Sequence, residues 1–416
     1  MTRLAAAQRA WRRIPLRLRR LAAPLLGWAT QSYARGRRPV AAAGLGPLPI
    51  KVVGLFSAAS GIAASARLAV RAFEALGVPV EAVDAGADGL DFSRRLAGPA
   101  APAIWIFHLN PPELLAALAS LGPRKVVGPR YGYWAWELPK APRRWLSDAR
   151  VVDEVWTPSR YSADALTGAA APVRVVPHPL FAQDYDAVEP LPRRAPFQAV
   201  AVFDFRSSMA RKNPLGAIEA FRRAFGDDPA CELTLKTQNG GDFPEQLAAL
   251  RAALPPNARL IDEVWPYAEV KRLIAGADVL ISLHRGEGFG LTPAEAMALG
   301  TPILATAYSG VLDFLDETCA VLVPCVLTPV ADPQGVYRGQ TWAEPDLDAA
   351  AAGLRRLRED AWLRSTLAEA ARRRVAERLS PAAWFATLPE SVRAATTVAE
   401  IRVNPASRAG PVSPAT

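Results

Sequence analysis

The sequence predicts an α/β chain built as two Rossmann-like, doubly wound domains that face a cleft. Three observations predict it. From residue 50 onward, short β-branched runs alternate with helical stretches, the order that builds mostly parallel sheets. The polar, Pro-rich segment Asp184–Pro196 interrupts this alternation once, and it then starts again. The 416 residues suit two or three domains.

The elements follow in order. Ile50–Phe56 reads as a strand and Ile62–Leu76 as a helix, followed by strands at Pro79–Val83 and Ala103–Phe107. Pro111–Leu121 is helical, Lys125–Gly128 extended, Val151–Thr157 a strand, Tyr161–Leu166 a helix and Val173–Val176 a strand. After the linker come strand Gln198–Asp204 and helix Pro214–Phe225, then strands at Glu232–Lys236, Arg259–Ile261 and Asp278–Leu283 with helices between them. Thr292–Leu299 is a helix, Pro302–Ala305 a strand, and residues 346–396 are mostly helical. The expected units are residues 50–190 and 191–380, one on each side of the cleft. A helix over 381–402 crosses back to the first domain, and a disordered tail spans 403–416. Cys325–Gln340 reads as an insertion rich in Pro and Gly.

Charge sets residues 1–49 apart. Residues 1–40 hold ten Arg and no Lys, Asp or Glu, so the net charge of +9 sits in this arm and the remainder is close to neutral. Leu4, Trp11, Ile14, Leu18, Leu21 and Leu25 fall on one helical face, with Arg9, Arg12, Arg13, Arg17 and Arg20 mostly opposite. This basic amphipathic pattern suits an anionic membrane surface. Pro15 and Pro24 oppose a continuous helix, so a solvated basic arm stands as the other reading. The segment lacks the features of a secretory signal, whereas a transit peptide shares its composition. Nothing downstream supplies a nucleic-acid motif or groove, so nucleic acid is not an expected partner. No apolar run reaches 18 residues, so no transmembrane helix is expected. The three cysteines form no CxxC pair or zinc pattern, which points to a reducing, cytoplasmic setting, peripheral to a membrane if the arm binds one.

The stretch richest in chemistry runs from Gly286 to Glu295, Gly-Glu-Gly-Phe-Gly-Leu-Thr-Pro-Ala-Glu, between a strand and a helix. Its glycines let the backbone turn tightly, and a following helix offers free N–H groups to an anion. Neither a Walker loop nor the dinucleotide fingerprint fits the spacing. Thr292 reads as the N-cap and Pro293 as the first helical residue. Thr292-x-x-Glu295 then forms a capping box, which alone would account for Glu295. Glu287 caps nothing and is free to accept hydrogen bonds from ligand hydroxyls.

Glu287-x7-Glu295 within EGFGLTPAEAMALGTPI resembles the signature of retaining glycosyltransferases of family 4, which have the two-domain GT-B fold. RKNPLGAIEAF and Tyr-x-Trp-x-Trp-Glu look like a bacterial polysaccharide-assembly branch. The resemblance covers about residues 50–396, and it implies that residues 50–190 form the acceptor-side domain and 191–380 the donor-side domain. It implies that Glu287 faces the sugar of a nucleotide-diphosphate donor and Glu295 its ribose. Gly288, Phe289, Gly290, Leu291 and Thr292 would then meet the diphosphate. Arg206 and Lys212 have the family's spacing for two cations that neutralise the leaving diphosphate. Gly61 stands where the family has a glycine-rich turn, here reduced to one Gly. His108 ends a strand on the cleft side and joins Arg206, Lys212 and Glu287 as a candidate catalytic residue, with a satisfied loop histidine as the alternative. Where the family often has another His, this chain has Arg130–Glu137, whose aromatics suit either sugar stacking or the core. His178 and His284 read as structural.

The implied activity is transfer of a hexose to a glycan or lipid-linked acceptor hydroxyl with retention of anomeric configuration. Two alternatives keep the same fold, namely a nucleotide-sugar epimerase and a non-catalytic membrane-associated protein. Asp184-Tyr185-Asp186 matches a metal motif of another glycosyltransferase fold, but lies in the linker. No metal and no cofactor is expected beyond the donor substrate.

Overall fold

The computed structural model describes residues 48–58, 60–85, 101–332 and 337–397. The basic arm, the tail and residues 398–402 of the expected crossing helix lie outside the described residues.

Two six-stranded parallel sheets form the frame. The first comprises β1 (Ile50–Gly54), β2 (Val80–Asp84), β3 (Ile104–Phe107), β4 (Arg130–Tyr133), β5 (Glu154–Thr157) and β6 (Val173–Val175), in the order β2-β1-β3-β4-β5-β6. The second comprises β7 (Phe197–Asp204), β8 (Cys231–Gln238), β9 (Ala258–Asp262), β10 (Val279–Ser282), β11 (Ile303–Thr306) and β12 (Val321–Val323), in the order β12-β11-β10-β7-β8-β9. Strand order reverses at β1/β3 and at β7/β10. Crevices of open α/β sheets form at such points, beyond the carboxyl ends of the strands.

Helix limits follow local chemistry. Ser60 caps the Gly61–Ala75 helix by accepting from the Ala63 N–H. Pro111 and Pro214 open helices where a missing N–H costs nothing, and Gly122 and Gly226 close them at positive φ. Buried apolar faces of these helices cover the sheets.

Three expectations change. Lys125–Gly128 is not a strand. Gly128 has φ +107°, and only Val127 bridges to Pro102. The strand is instead Arg130–Tyr133, disguised by a buried arginine whose guanidinium donates to the Pro123 and Val126 carbonyls at 3.0 and 2.9 Å. The 184–196 segment is no free linker. Tyr185 packs into the second domain's core, and Asp184 pairs with Arg71 of the first domain. The insertion is built as an antiparallel hairpin, β13 (Cys325–Pro329) and β14 (Thr341–Pro345). Tyr337 and Trp342 from this hairpin enter the first domain's core, where Tyr337 meets Trp136 edge-on at 5.8 Å.

The Leu347–Glu359 and Ala361–Arg378 helices pack on the second domain. The Pro381–Thr387 and Glu390–Thr397 helices contribute Trp384, Leu388 and Val392 to the first domain's core. Trp384 meets Phe73 edge-to-face at 4.9 Å, and Tyr131 hydrogen-bonds Ser391 at 3.0 Å. No described helix is long and apolar enough to cross a membrane.

Replacing Trp384 by Ala is expected to destabilise the protein by about 3–5 kcal/mol, the usual cost of emptying an aromatic core site. Urea unfolding checks this, and a loss below about 1 kcal/mol would mean that the C-terminal helix does not anchor the first domain.

Candidate active site

The site forms at the β7/β10 switch point. The turn after β7 presents Phe205–Ser207 and the short Met209–Lys212 helix, while β10 runs into Leu283–Gly290. A pocket here is lined by Phe203, Lys212, Ser282, Glu287, Gly290 and Thr292.

At its centre Glu287 is buried between two cations. Lys212 Nζ donates to one carboxylate oxygen at 2.5 Å, and Arg211 Nη1 lies 3.2 Å from the other. Burial alone would raise the Glu287 carboxyl, but Lys212, Arg211 and His284 outweigh it and hold it at about 2. Burial likewise opposes the Arg211 charge, and Glu287 and Glu137 overcome it, so its pKa rises. Glu137 of the first domain lies 3.9 Å from Arg211, and the hairpin's Tyr337 bonds to it as well.

The backbone around Glu287 is fixed with equal care. Its N–H donates to Ser309 Oγ at 2.9 Å, its carbonyl accepts from the Gly310 N–H at 3.0 Å, and Arg211 donates to the Gly286 carbonyl at 2.7 Å. Ser309 holds φ +70°, a costly conformation outside glycine, to make this bond. A Cβ at Gly286 would come within 2.5 Å of the Glu137 carbonyl, so only glycine lets the two domains meet there. Arg285 buttresses the loop, donating to Glu344 of β14 at 2.6 and 2.8 Å and to the Ala210 carbonyl at 2.7 Å.

The capping box does not form. The helix is Leu291–Leu299, its N-cap is Gly290 at φ +97°, and no side chain caps it. Thr292 and Pro293 therefore lie inside the first turn. Among the described residues no acceptor engages the N–H groups of Gly288, Phe289, Leu291 and Thr292. Successive free amides at a helix start form an anion cradle. Glu295, freed from capping, accepts from the Tyr267 hydroxyl and also bonds Tyr185. Burial raises its carboxyl to about 7 despite these bonds and nearby Lys271.

The remaining candidates separate. Arg206 follows β7, is largely exposed and pairs with Asp242 at 2.7 Å. The cation that joins Lys212 on Glu287 is its sequence neighbour Arg211, for which the sequence suggested no role. Both in fact end the Met209–Lys212 helix, where positive charge suits the dipole. Gly61 begins the Gly61–Ala75 helix with open space beside its Cα. His108 follows β3. It is buried, stacks on Tyr133 at 4.4 Å and bonds Ser65 Oγ at 3.2 Å. Burial lowers its pKa to about 3, with His178 adding to the fall. Such a weak, enclosed base belongs to the core. His178 bonds the Tyr133 hydroxyl at 3.1 Å, and His284 sits between Ser282 and the Tyr308 carbonyl. Tyr133, Trp134 and Trp136 are buried, so these aromatics are core. No group of three or more His, Cys, Asp or Glu able to hold a metal occurs among the described residues.

Between pH 4.5 and about 7 folded Glu295 binds a proton that the unfolded chain releases. This contribution to stability is full below that window and is lost as pH rises through about 7. Glu295→Gln is expected to remove that slope. Urea unfolding from pH 5 to 8 reads it, and an unchanged slope would mean that Glu295 is not the group responsible.

Residues 206–374 match the family described as glycosyl transferases group 1. No curated protein sequence matches the chain. Among solved structures, Anabaena HepE in complex with UDP-glucose superposes with a TM-score of 0.56 at 14% identity, over 85% of this chain and all of HepE. Trehalose 6-phosphate synthase from Burkholderia multivorans gives 0.51 at 14% identity, over 72% of this chain and 73% of that one. S. aureus TarM in complex with UDP and alpha-GlcNAc-glycerol gives 0.51 at 13%, and the match spans only 54% of TarM against 68% of this chain. At these identities the likeness is one of fold. Residues 206–374 thus resemble the glycosyl transferases group 1 family, and they lie within a two-sheet GT-B architecture that most of the chain shares with these structures.

Proposed function

We propose that the protein moves a hexose from a nucleoside-diphosphate sugar to a hydroxyl of a glycan or lipid-linked acceptor, with retention of anomeric configuration. One observation carries the reading: an ionised, doubly paired Glu287 stands beside the free amides of Gly288–Thr292 at the switch point of the second sheet. The amides bind the diphosphate, Lys212 and Arg206 neutralise it as it leaves, and Glu287 accepts hydrogen bonds from the sugar hydroxyls. A carboxylate offers about four acceptor positions, so two cations leave it capacity. Glu295 holds the ribose. The bond from the anomeric carbon to the diphosphate breaks, the acceptor oxygen bonds on the same face, and its proton passes to the departing phosphate oxygen. The protein's own cations supply the charge neutralisation, so turnover is expected to survive chelation of divalent metal. HepE, crystallised with UDP-glucose, makes uridine the first base to test.

Free nucleoside diphosphate is measured after incubation with a panel of nucleoside-diphosphate sugars, with and without acceptor. Acceptor-dependent release supports transfer, acceptor-independent conversion of the donor supports the epimerase, and no turnover supports a non-catalytic role. The anomeric coupling constant of the product reads retention. Glu287→Gln keeps the shape but not the charge, and kcat is expected to fall on the order of 10²-fold. Glu295→Gln should mainly weaken donor binding. Wild-type kcat in Glu287→Gln overturns the assignment of Glu287 to the reacting sugar.

We assign residues 1–40 to recruitment onto anionic membrane. A chain lacking them should stop sedimenting with anionic vesicles and keep its turnover on a soluble acceptor. Continued sedimentation overturns this.

A further inference from the structure

The donor loop is held from the first domain through one carbonyl. Ser159 Oγ donates to the Gly288 carbonyl at 2.6 Å, and Ser162 Oγ approaches it at 3.2 Å while donating to the Trp136 carbonyl at 2.7 Å. Both serines are fully buried. Their helix, Arg160–Ala165, is tied to the second domain twice more. The Arg160 N–H donates to Asp313 at 2.8 Å, and the Tyr161 and Tyr308 hydroxyls bond at 3.0 Å. The next ring is gripped too, since Phe289 packs edge-on against His178 of the first domain at 4.6 Å and against Phe314 at 4.8 Å.

A trans peptide directs its C=O and N–H to opposite sides, and no cis bond occurs among the described residues. With the Gly288 oxygen pinned to the serines, the Phe289 N–H must face the other way, and no described acceptor takes it. A hydroxyl buried for the sake of one carbonyl is costly to remove, because that oxygen is then left unsatisfied.

We infer that Ser159 and Ser162 are positioning residues for the donor's diphosphate. From the first domain they fix the Gly288–Phe289 peptide, so that the Phe289 N–H is presented to the anion only when the two domains are docked. Resting on the glycosyltransferase reading above, this makes the direction of one of the cradle's four amides a property of the neighbouring domain.

The test compares binding of UDP, GDP and ADP, and of their parent nucleosides, to the full chain by calorimetry and competition. In Ser159→Ala/Ser162→Ala the advantage of the best diphosphate over its nucleoside should fall about tenfold, with nucleoside affinity unchanged. Ser162→Ala alone leaves the helix cap made by Ser159 in place and should show part of the loss. Ser159→Thr keeps both cap and donor and should restore binding. Diphosphate binding equal to wild type in the folded double variant overturns the inference while leaving the enzyme reading intact. Equal losses for nucleoside and diphosphate overturn it as well, since they mark a general structural effect. A wild-type protein that binds none of the diphosphates overturns this inference and the enzyme reading together.

Discussion

The buried ion cluster of Glu287, Arg211 and Lys212 is the constraint from which the rest of the site follows. Taking one carboxylate and two cations out of water is costly, and removing any partner leaves an uncompensated charge. The cost is met only if geometry is exact, and much of the local backbone serves that geometry. Ser208 and Asn213 adopt positive φ at either end of the four-residue helix that carries both cations. Asn213 then caps the next helix and donates to the Leu283 carbonyl at 2.9 Å, fixing β10's exit to β7's exit. The hairpin of β13 and β14 braces the same cluster from outside, through Glu344 on Arg285 and Tyr337 on Arg211. A segment that looks like an insertion in sequence is thus a strut across the cleft.

The two carboxylates of one motif are driven in opposite directions by their neighbours. Both are buried, and burial raises both. At Glu287 two cations reverse the effect and hold it at about 2, whereas at Glu295 two tyrosine hydroxyls and a more distant lysine fail to, leaving it at about 7. A permanent charge suits contact with a group whose charge distribution changes. A carboxyl that titrates near neutrality suits hydrogen bonding to a part of the ligand that does not react. These environments separate the two carboxylates, which is what the division of labour proposed for them requires.

Much of the frame was legible because alternation of β-branched runs and helices is a strong signal. Pro214–Phe225 runs from its proline to its last aromatic as read, and the motif from Gly286 to Glu295 lies at the strand-to-helix junction expected of it. The failures share a cause, which is that tertiary partners decided between equal local options. Thr292 and Gly290 both suit an N-cap, and the close packing of Gly290 on Val311 chose the glycine. Arg130 hid a central strand because a buried arginine reads as surface. Arg206 had the spacing of a partner to Lys212 and Arg211 did not, yet the path of the turn after Asp204 sends Arg211 inward and Arg206 to Asp242. His108 ends its strand as expected, yet nothing local revealed that Tyr133 would stack over it.

The two domains contribute in different currencies. Apart from Glu137, the charges that gather on Glu287 come from the second domain. To the loop around Gly288 the first domain offers neutral contacts, two serine hydroxyls on a carbonyl and His178 on a phenylalanine ring, while its Arg160 meets the Asp313 carboxylate at the exposed edge. His108 stacks on Tyr133, which meets His178 at a tilt, and burial holds both histidines at about 3, so this row of rings carries no charge at neutral pH. Neutral support is the cheaper kind to bury at a junction between domains. A charge brought to that junction must be desolvated, at a cost that scales with its burial. A hydroxyl or a ring exchanges water for a carbonyl or another ring at far smaller cost. The Glu287–Arg211–Lys212 cluster therefore lies within one domain, and the neighbouring domain supports its loop mainly with groups that are cheap to bury.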